Sequence, residues 1–169
     1  MIIRQAEAGD AGAVAAIWNP VIRDTAATFT TLEKTRQGLA ADFAARPAGG
    51  EAFLLAEEGG ALLGFATYSR FRAGPGYART MEHSIILAPQ ARGRGMGRGL
   101  MAALEDHACR AGVHSLMAGV SAENPDGVAF HRAIGFAEVA RLPEVGYKFG
   151  RWMDLVLMQK FLRRGGDLR

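Results

Sequence analysis

The stretch that decides the fold runs from Ile85 to Leu100 and has the sequence IILAPQARGRGMGRGL. Its first residues are apolar and end at Pro89, which predicts a strand. A loop rich in Gly and Arg follows, and the apolar residues after it recur at helical spacing. Glycines let the backbone turn with N–H groups pointing inward, and a helix N-terminus adds partial positive charge. This order of elements predicts an anion cradle for a phosphate-bearing ligand.

The glycine spacing distinguishes three kinds of phosphate loop. A Walker loop needs Gly-Lys followed by Ser or Thr, and these glycines lack that sequence. A dinucleotide fingerprint needs Gly-x-Gly-x-x-Gly, whereas Gly93, Gly95, Gly97 and Gly99 stand at every second position. The remaining pattern, Arg92-x-x-Gly95-x-Gly97, resembles the pyrophosphate loop of the GNAT superfamily of N-acetyltransferases, which bind acetyl-CoA. The alternative is a flexible basic loop before an ordinary helix.

A second segment, Asn124 to Phe136, supports the same interpretation. Asn124 is a helix cap, Pro125 occupies the first helical position, and Gly135 is a plausible stop before a new strand. This segment resembles the second signature of the same superfamily. Such a helix is a weak signal alone and a strong one when it follows the first loop at this distance.

Further phrases narrow the resemblance to the phosphinothricin and methionine sulfoximine acetyltransferases. They are Met81–Ser84, Leu142–Gly146 and Lys148–Leu155, and the likeness runs from Ile17 to Gln159, weakest between Thr28 and Gly50. Members of that family acetylate the α-amino group of glutamate-like compounds. The resemblance implies an acetyl-CoA-dependent N-acetyltransferase, a small amino acid or analogue as substrate, direct transfer, and a homodimer.

Composition limits the other classes of function. The chain has 169 residues, 49% of them hydrophobic, with 20 basic and 17 acidic side chains. We therefore expect one domain over residues 1–162, which the resemblance identifies as an N-acetyltransferase domain, and a flexible tail at 163–169. A net charge of +3 without a broad basic stripe argues against a nucleic-acid partner.

The cysteine count and the absence of long apolar runs add further expectations. The single cysteine, Cys109, excludes an internal disulfide and a multi-cysteine zinc site, and we expect no metal. The sequence shows neither a signal-peptide pattern nor an apolar run long enough to span a bilayer. We therefore expect no membrane partner and a cytoplasmic protein.

The order of predicted elements indicates an α+β fold in a single domain. A helix capped by Asp10 and a second helix from Thr31 or Leu32 precede antiparallel strands. Alternating strands and helices follow and predict a mixed, mostly antiparallel twisted sheet with flanking helices. The resemblance adds that the central strands splay apart and that the pantetheine arm of the cofactor enters the opening.

Acetyl transfer to an amine needs a neutral amine, a donor for the oxyanion and a proton for the departing thiolate. Glu82 is the candidate base, although a free carboxyl has a pKa of about 4.3, which is low for this task. Partial burial would raise that pKa, or water would relay the proton. Substrate positioning, a solvated acid or a structural ion pair are the alternatives for Glu82.

Two histidines have different expected roles. His131 stands where many relatives in the superfamily carry a tyrosine that protonates the thiolate. A neutral imidazole can hydrogen-bond the sulfur and an imidazolium can protonate it, whereas the alternative is a surface histidine. His83 alternates to the opposite strand face from Glu82, and we expect it to be a hydrogen-bonded structural residue, with a catalytic role as the alternative.

The candidate cofactor contacts are mainly backbone groups. Three strand residues would pair with the pantetheine amides as an added strand would, and the N–H of Leu87 is a candidate oxyanion donor. Asn124 can cap its helix and also contact the cofactor. The full set is Ile85, Ile86, Leu87, Arg92, Gly93, Arg94, Gly95, Met96, Gly97, Arg98, Asn124 and His131.

The candidate substrate contacts rest mainly on the resemblance. Arg72 can pair with a substrate carboxylate in a bidentate fork. The loop Gly74, Pro75, Gly76 and Tyr77 resembles the substrate loop of the family, but relatives often place an acid where Pro75 stands, so the exact substrate stays open. Phe29, Tyr77 and Glu82 complete the set, with core packing as the alternative for the two aromatic residues.

Two rival functions remain at this point. One is an acetyltransferase for another amine, such as a polyamine, an aminoglycoside or a peptide N-terminus. The other is a non-catalytic module that binds acyl-CoA.

Overall fold

The computed structural model describes residues 1–162, and the tail expected at 163–169 lies outside them. These residues form seven strands and four α-helices. The strands are β1 (Ile2–Gln5), β2 (Phe53–Glu58), β3 (Ala61–Arg70), β4 (Thr80–Leu87), β5 (Ser115–Ser121), β6 (Ala137–Lys148) and β7 (Arg151–Phe161). The helices are α1 (Ala11–Asp24), α2 (Arg36–Ala45), α3 (Met96–Arg110) and α4 (Pro125–Ala133).

The strands form one sheet in the order β1-β2-β3-β4-β5-β7-β6. Neighbouring strands are antiparallel except β4 and β5, which run parallel. These two strands pair only from Thr80 to Glu82, although β4 continues to Leu87. The sheet therefore opens at its centre beyond Glu82, and the predicted α+β fold with splayed central strands is confirmed.

Two apolar clusters, one on each face, hold the helices on the sheet. In one, Leu100 and Leu104 of α3 pack with Leu116 of β5, all of them fully buried. In the other, Val14 of α1 packs with Phe65 of β3 and its aromatic neighbours. Burial of these side chains fixes α3 against the sheet and so fixes where its N-terminus lies.

The second helix begins later than predicted, at Arg36 rather than at Thr31 or Leu32. The amide of Asn19 in α1 clamps the backbone of Lys34: its Oδ1 accepts from the Lys34 N–H at 2.8 Å and its Nδ2 donates to the Lys34 carbonyl at 3.0 Å. This clamp holds the chain extended until Thr35, whose hydroxyl caps α2 by accepting from Gly38 N–H.

Two other local predictions need correction. Asp10 directly precedes α1, but its side chain does not cap that helix, because it accepts from the Glu7 N–H and pairs with Arg4. The last two strands are longer than expected and form a hairpin through a tight turn at Phe149 and Gly150, whose φ angles are 53° and 73°.

The packing of α3 gives a test of the fold. We expect Leu104→Ala to lower the free energy of unfolding by about 2–5 kcal/mol, because it leaves a cavity under a helix that carries the central loop. Urea denaturation measures the change. The same substitution at Leu32, which is 78% exposed, is the control and should change little. A loss under 1 kcal/mol at Leu104 would contradict the described packing.

Candidate functional site

A cavity of about 720 Å³ opens where β4 separates from β5. Five parts of the chain line it: the end of β4, the glycine-rich loop, the start of α3, the start and inner face of α4, and the end of α1 with the segment after it. Its lining residues are Val21, Thr25, Ala26, Ala27, Ile85, Ile86, Leu87, Ala91, Arg92, Gly93, Gly95, Met96, Gly97, Arg98, Glu123, Asn124, Asp126, Gly127, Phe130 and His131.

The strand register shows which backbone groups of β4 face this cavity. Ala88 N–H donates to the Leu63 carbonyl, so the next pair along the ladder, Leu87 with Gly64, does not exchange hydrogen bonds. The N–H and C=O of Leu87, and by the same alternation those of Ile85, point away from β3 towards the opening. Ile86 instead pairs with Phe65. Of the three predicted strand contacts, two offer free backbone groups.

The glycine-rich loop ends at the N-terminus of α3. Gly93 and Gly95 have φ angles of 71° and 78°, which L side chains rarely adopt. The hydrogen bond from Gly99 N–H to the Gly95 carbonyl opens the helix, so the N–H groups of Met96 and Gly97 have no acceptor within the helix. These amides and the helix dipole make the cavity end attractive to an anion.

Helix α4 forms the opposite wall. Asn124 caps it as predicted, since its Oδ1 accepts from Gly127 N–H at 3.0 Å. His131 lies one helical turn after Gly127. It is only 6% exposed, which excludes the alternative that it is a surface histidine. Its Nδ1 lies 2.6 Å from the Gly127 carbonyl, which can only accept, so Nδ1 carries the proton.

Because Nδ1 carries the proton, the state of the other ring nitrogen of His131, Nε2, is also defined. In the neutral ring, Nε2 then bears a lone pair, and it is buried with no hydrogen-bond partner in residues 1–162. Burial lowers the pKa of His131, although the bond to Gly127 raises it somewhat. The neutral acceptor is therefore the resting form near neutral pH.

His83 departs from its expected role as a hydrogen-bonded residue. It is 6% exposed, and neither ring nitrogen has a partner within the part of the chain that the structure describes. Its ring packs 5.0 Å from that of His131 and 5.3 Å from Phe136, measured between centroids. Burial, with a smaller contribution from His131, lowers the pKa of His83 to about 3, so the ring is neutral.

Glu82 lies at the point where the two central strands separate. It is the last residue of β4 that pairs with β5, opposite Met117. Its Oε1 sits beside Gly119 of β5, and a Cβ at that position would lie 2.8 Å from it. Burial raises the pKa of Glu82, which makes its carboxylate a stronger base than a free one.

The structure brings most of the predicted cofactor residues together and leaves one apart. All of them line the cavity except Arg94, whose guanidinium pairs with Glu58 outside it. Arg92 and Arg98 line the cavity.

The predicted substrate residues lie outside this cavity lining. Residues 72–77 belong to an exposed loop that joins β3 to β4, at the same sheet end as Glu82. Arg72 there stacks 5.4 Å from the Phe71 ring, and Tyr77 is 46% exposed. Phe29 is half-buried, and its ring lies against Gly146 of β6.

Nine lining residues were not predicted: Val21, Ala91 and the members of two groups. Glu123, Asp126, Gly127 and Phe130 flank Asn124 and His131, and the three- and four-residue spacing of a helix face is the signal that points to Gly127. The segment of Thr25, Ala26 and Ala27 carries no such signal, because only tertiary contacts bring it to the cavity.

Neither a cluster of metal ligands nor a membrane-spanning helix is found within residues 1–162. No group of three His, Cys, Asp or Glu side chains in these residues is arranged to hold a metal ion. Among the same residues, no helix has both the length and the apolar character to cross a membrane. The lining offers an anion cradle and an unpaired strand edge, and Glu82, which is not part of the lining, supplies a carboxylate of raised pKa where the two central strands separate.

Comparisons with known proteins agree with this arrangement. The acetyltransferase (GNAT) family model matches residues 18–136. The chain is 36% identical to the L-methionine sulfoximine/L-methionine sulfone acetyltransferase of Salmonella typhimurium over 94% of its own length and 93% of that protein. It is 35% identical to the phosphinothricin N-acetyltransferase of Alcaligenes faecalis, with 96% and 83% covered. An acetyltransferase structure from Salmonella typhimurium with its cofactor acetyl-CoA superposes with a TM-score of 0.92 at 36% identity, with 97% and 95% covered.

The buried imidazole of His83 predicts a pH-dependent stability. The folded chain keeps this ring neutral down to about pH 3, whereas the unfolded chain protonates it below about 6.5, so stability falls as pH falls through this interval. One such group contributes at most about 1.4 kcal/mol per pH unit. We expect His83→Phe to flatten the dependence and to cost little at pH 7, measured by urea denaturation at several pH values.

The matched control for this prediction is His114→Phe, because His114 is exposed. That variant should keep the pH dependence of the unmodified chain. Equal slopes for His83→Phe and the unmodified chain would show that His83 is not held neutral by the fold.

Proposed function

The chain belongs to the acetyltransferase (GNAT) family, and from this we propose that it transfers the acetyl group of acetyl-CoA to the amino group of a small amino acid or analogue. The substrate class is that of methionine sulfoximine, methionine sulfone and phosphinothricin, on which the relatives named above act. The observation that carries the proposal is the open centre of the sheet, whose lining includes an anion cradle; Glu82, which is not part of that lining, is the last residue of β4 that pairs with β5 before the strands separate.

The residues of the cavity fit the cofactor of this family. A diphosphate would rest on the amides of Gly93 to Arg98. At Gly93 and Gly95 the space that a side chain would fill is open. The free backbone groups of Ile85 and Leu87 match the amides of a pantetheine arm, as in strand addition. Acetyl-CoA bound there supplies the acetyl group as an activated thioester.

Glu82 is the proposed base for the incoming amine. An ammonium has no lone pair, so a proton must leave before attack, and a carboxylate with a raised pKa accepts it more readily. Gly119 leaves room for this carboxylate on the sheet, beside the opening. We propose direct transfer, in which Glu82 takes the proton itself or through water.

Leu87 and His131 are the proposed polar groups at the reacting centre. The Leu87 N–H points into the opening and can donate to the oxygen on which charge develops. Neutral His131 carries a lone pair and no proton at Nε2, so it can accept from an N–H or S–H group but does not supply a proton. Donation from His131 would need the imidazolium, which burial disfavours.

Arg72 is the proposed recognition group for the substrate carboxylate. Its side chain is exposed on the loop beside the Glu82 end of β3 and β4, and within residues 1–162 it forms no ion pair. Gly74, Pro75, Gly76 and Tyr77 shape the same loop. Phe29, whose ring lies against Gly146 of β6, is the other proposed aromatic contact of the substrate. A guanidinium in this position favours an amino acid over a polycation.

We also propose that the chain forms a homodimer through the β6–β7 hairpin. Strand β6 is at the edge of the sheet and exposes Val139, Val145 and Tyr147 by more than half. Trp152 of β7 is 60% exposed and makes an edge-to-face contact with Tyr147. An exposed edge strand with apolar and aromatic side chains favours pairing with a second copy.

The proposed base gives a direct test of activity. We expect Glu82→Gln to lower kcat/KM at least about 100-fold, because the amide cannot accept a proton, while the affinity for acetyl-CoA is kept. The acidic limb of the pH profile, which should lie above the pKa of a free glutamate, should also disappear. Thiol release from acetyl-CoA measures the rates, and calorimetry measures the affinity.

The control is Glu138→Gln, which makes the same change of charge at an exposed position outside the cavity. The assay uses a panel of amines: phosphinothricin, methionine sulfoximine, methionine sulfone, spermidine, an aminoglycoside and short peptides. Turnover confined to spermidine, aminoglycoside or peptides would replace the substrate class. Acetyl-CoA binding with no turnover at all would favour the non-catalytic module.

The dimer has a separate test. We expect Trp152→Glu to convert the dimer to a monomer, because a charge in the apolar face carries a desolvation penalty on association. Light scattering coupled to size exclusion measures the mass. Ile2→Glu, at a 65% exposed position on the opposite edge strand, is the control and should leave the mass unchanged. A monomeric unmodified chain would contradict the proposal.

A further inference from the structure

We propose that Lys148 is a positioning residue that holds the wall of the acetyl-CoA cavity in its binding shape. The proposal rests on the proposed function, since it is the acyl-CoA cavity that this wall closes. Neither the phosphate loop nor the candidate catalytic residues include Lys148.

Lys148 is a buried cation at the end of β6. Lys148 is 3% exposed. Its Nζ donates to the carbonyls of Ile22, Thr25 and Thr28 at 2.5, 2.7 and 2.9 Å, respectively. An ammonium has three donors, so these bonds use all of them. A lysine is rarely buried to this degree unless its charge is compensated, here by backbone oxygens.

The three carbonyls belong to the last turn of α1 and to the segment that follows it. Ile22 is in the last turn of that helix, where carbonyls lack helical partners and a cation is favourable. Residues 25–28 lie in neither helix nor strand, so their backbone oxygens have no ladder to satisfy them. The ammonium therefore sets the path of this segment by collecting its oxygens around one point.

This segment is also the part of the cavity wall that the sequence patterns did not indicate. Thr25, Ala26 and Ala27 line the cavity, directly beside the oxygens that Lys148 holds. The Thr25 hydroxyl donates to the Val21 carbonyl and accepts from the Ala27 N–H, which keeps the turn compact. Displacement of the turn would therefore move the lining itself.

A second contact from β6 holds the same segment. The ring of Phe29 lies directly against Gly146, where any Cβ would overlap it. Gly146 and Lys148 are two residues apart, so they lie on the same face of β6, and both are buried. The ammonium and the glycine thus fix the segment at its two ends from one strand.

The test compares the affinity for acetyl-CoA of two lysine variants without any amine present. We expect Lys148→Met to weaken binding about tenfold, because three buried carbonyls lose their donor and the turn relaxes away from the cavity. Isothermal titration calorimetry measures Kd. Hydrogen exchange should become faster in the peptide that covers residues 22–29.

Lys160→Met is the matched control. Lys160 is also a partly buried lysine, bound to the Glu105 carboxylate and the Ile134 carbonyl, and none of these three residues lines the cavity. We expect this variant to lose stability but to keep the Kd for acetyl-CoA and the exchange rate of residues 22–29. Equal weakening by both variants would reduce Lys148 to general stability and overturn the proposal.

The remaining outcomes separate this inference from the proposed function. An unmodified chain that does not bind acetyl-CoA overturns the proposed function, whereas unchanged binding by Lys148→Met overturns only the role of Lys148. If Lys148→Met fails to fold, hydrogen exchange of the unmodified chain with and without acetyl-CoA tests the proposal instead. Acetyl-CoA should then slow hydrogen exchange in residues 22–29 and 144–150 together, and no slowing in the hairpin would overturn the proposal.

Discussion

The early separation of β4 from β5 is the constraint on which the rest of the site depends. The two parallel strands share three residue pairs and then part, so the backbone groups of Ile85 and Leu87 face an opening instead of a strand. Backbone groups at such a place need partners, and an extended ligand with amides is the natural one. The glycine-rich loop begins where β4 ends, and Glu82 stands where the separation begins. Both positions follow from where the ladder stops.

The sequence was sufficient for the features that are encoded locally. The spacing of Gly93, Gly95 and Gly97, the cap at Asn124 and the strand before Pro89 each depend on neighbouring residues, and the structure contains each of them. The features that it did not predict depend on distant contacts. The bond from Lys148 to Ile22 joins residues 126 positions apart, and the clamp of Asn19 on Lys34 delays a helix that propensity alone would start earlier. No periodic pattern in the sequence indicates either contact.

The sequence left more than one role open for His131 and for His83. Their burial and hydrogen bonding reduce the number of these roles. A carbonyl can only accept, so the bond of His131 to Gly127 fixes the tautomer and turns Nε2 into an acceptor. His83 beside it has no polar partner within the described chain, and two neutral rings in contact avoid the repulsion that two imidazolium ions would suffer. The proton for a departing thiolate therefore has to come from a source other than resting His131.

Gly119 has a consequence for attempts to redirect this scaffold to other acceptors. The reach of the Glu82 side chain across β5 depends on the missing side chain at position 119, where even a methyl group would meet Oε1. The location of the proton acceptor is thus governed from a neighbouring strand, β5, none of whose residues lines the cavity. Engineering that varies only the pocket lining would keep the base in one place, whereas variation at this single site would move it and so retune which amines lie within range.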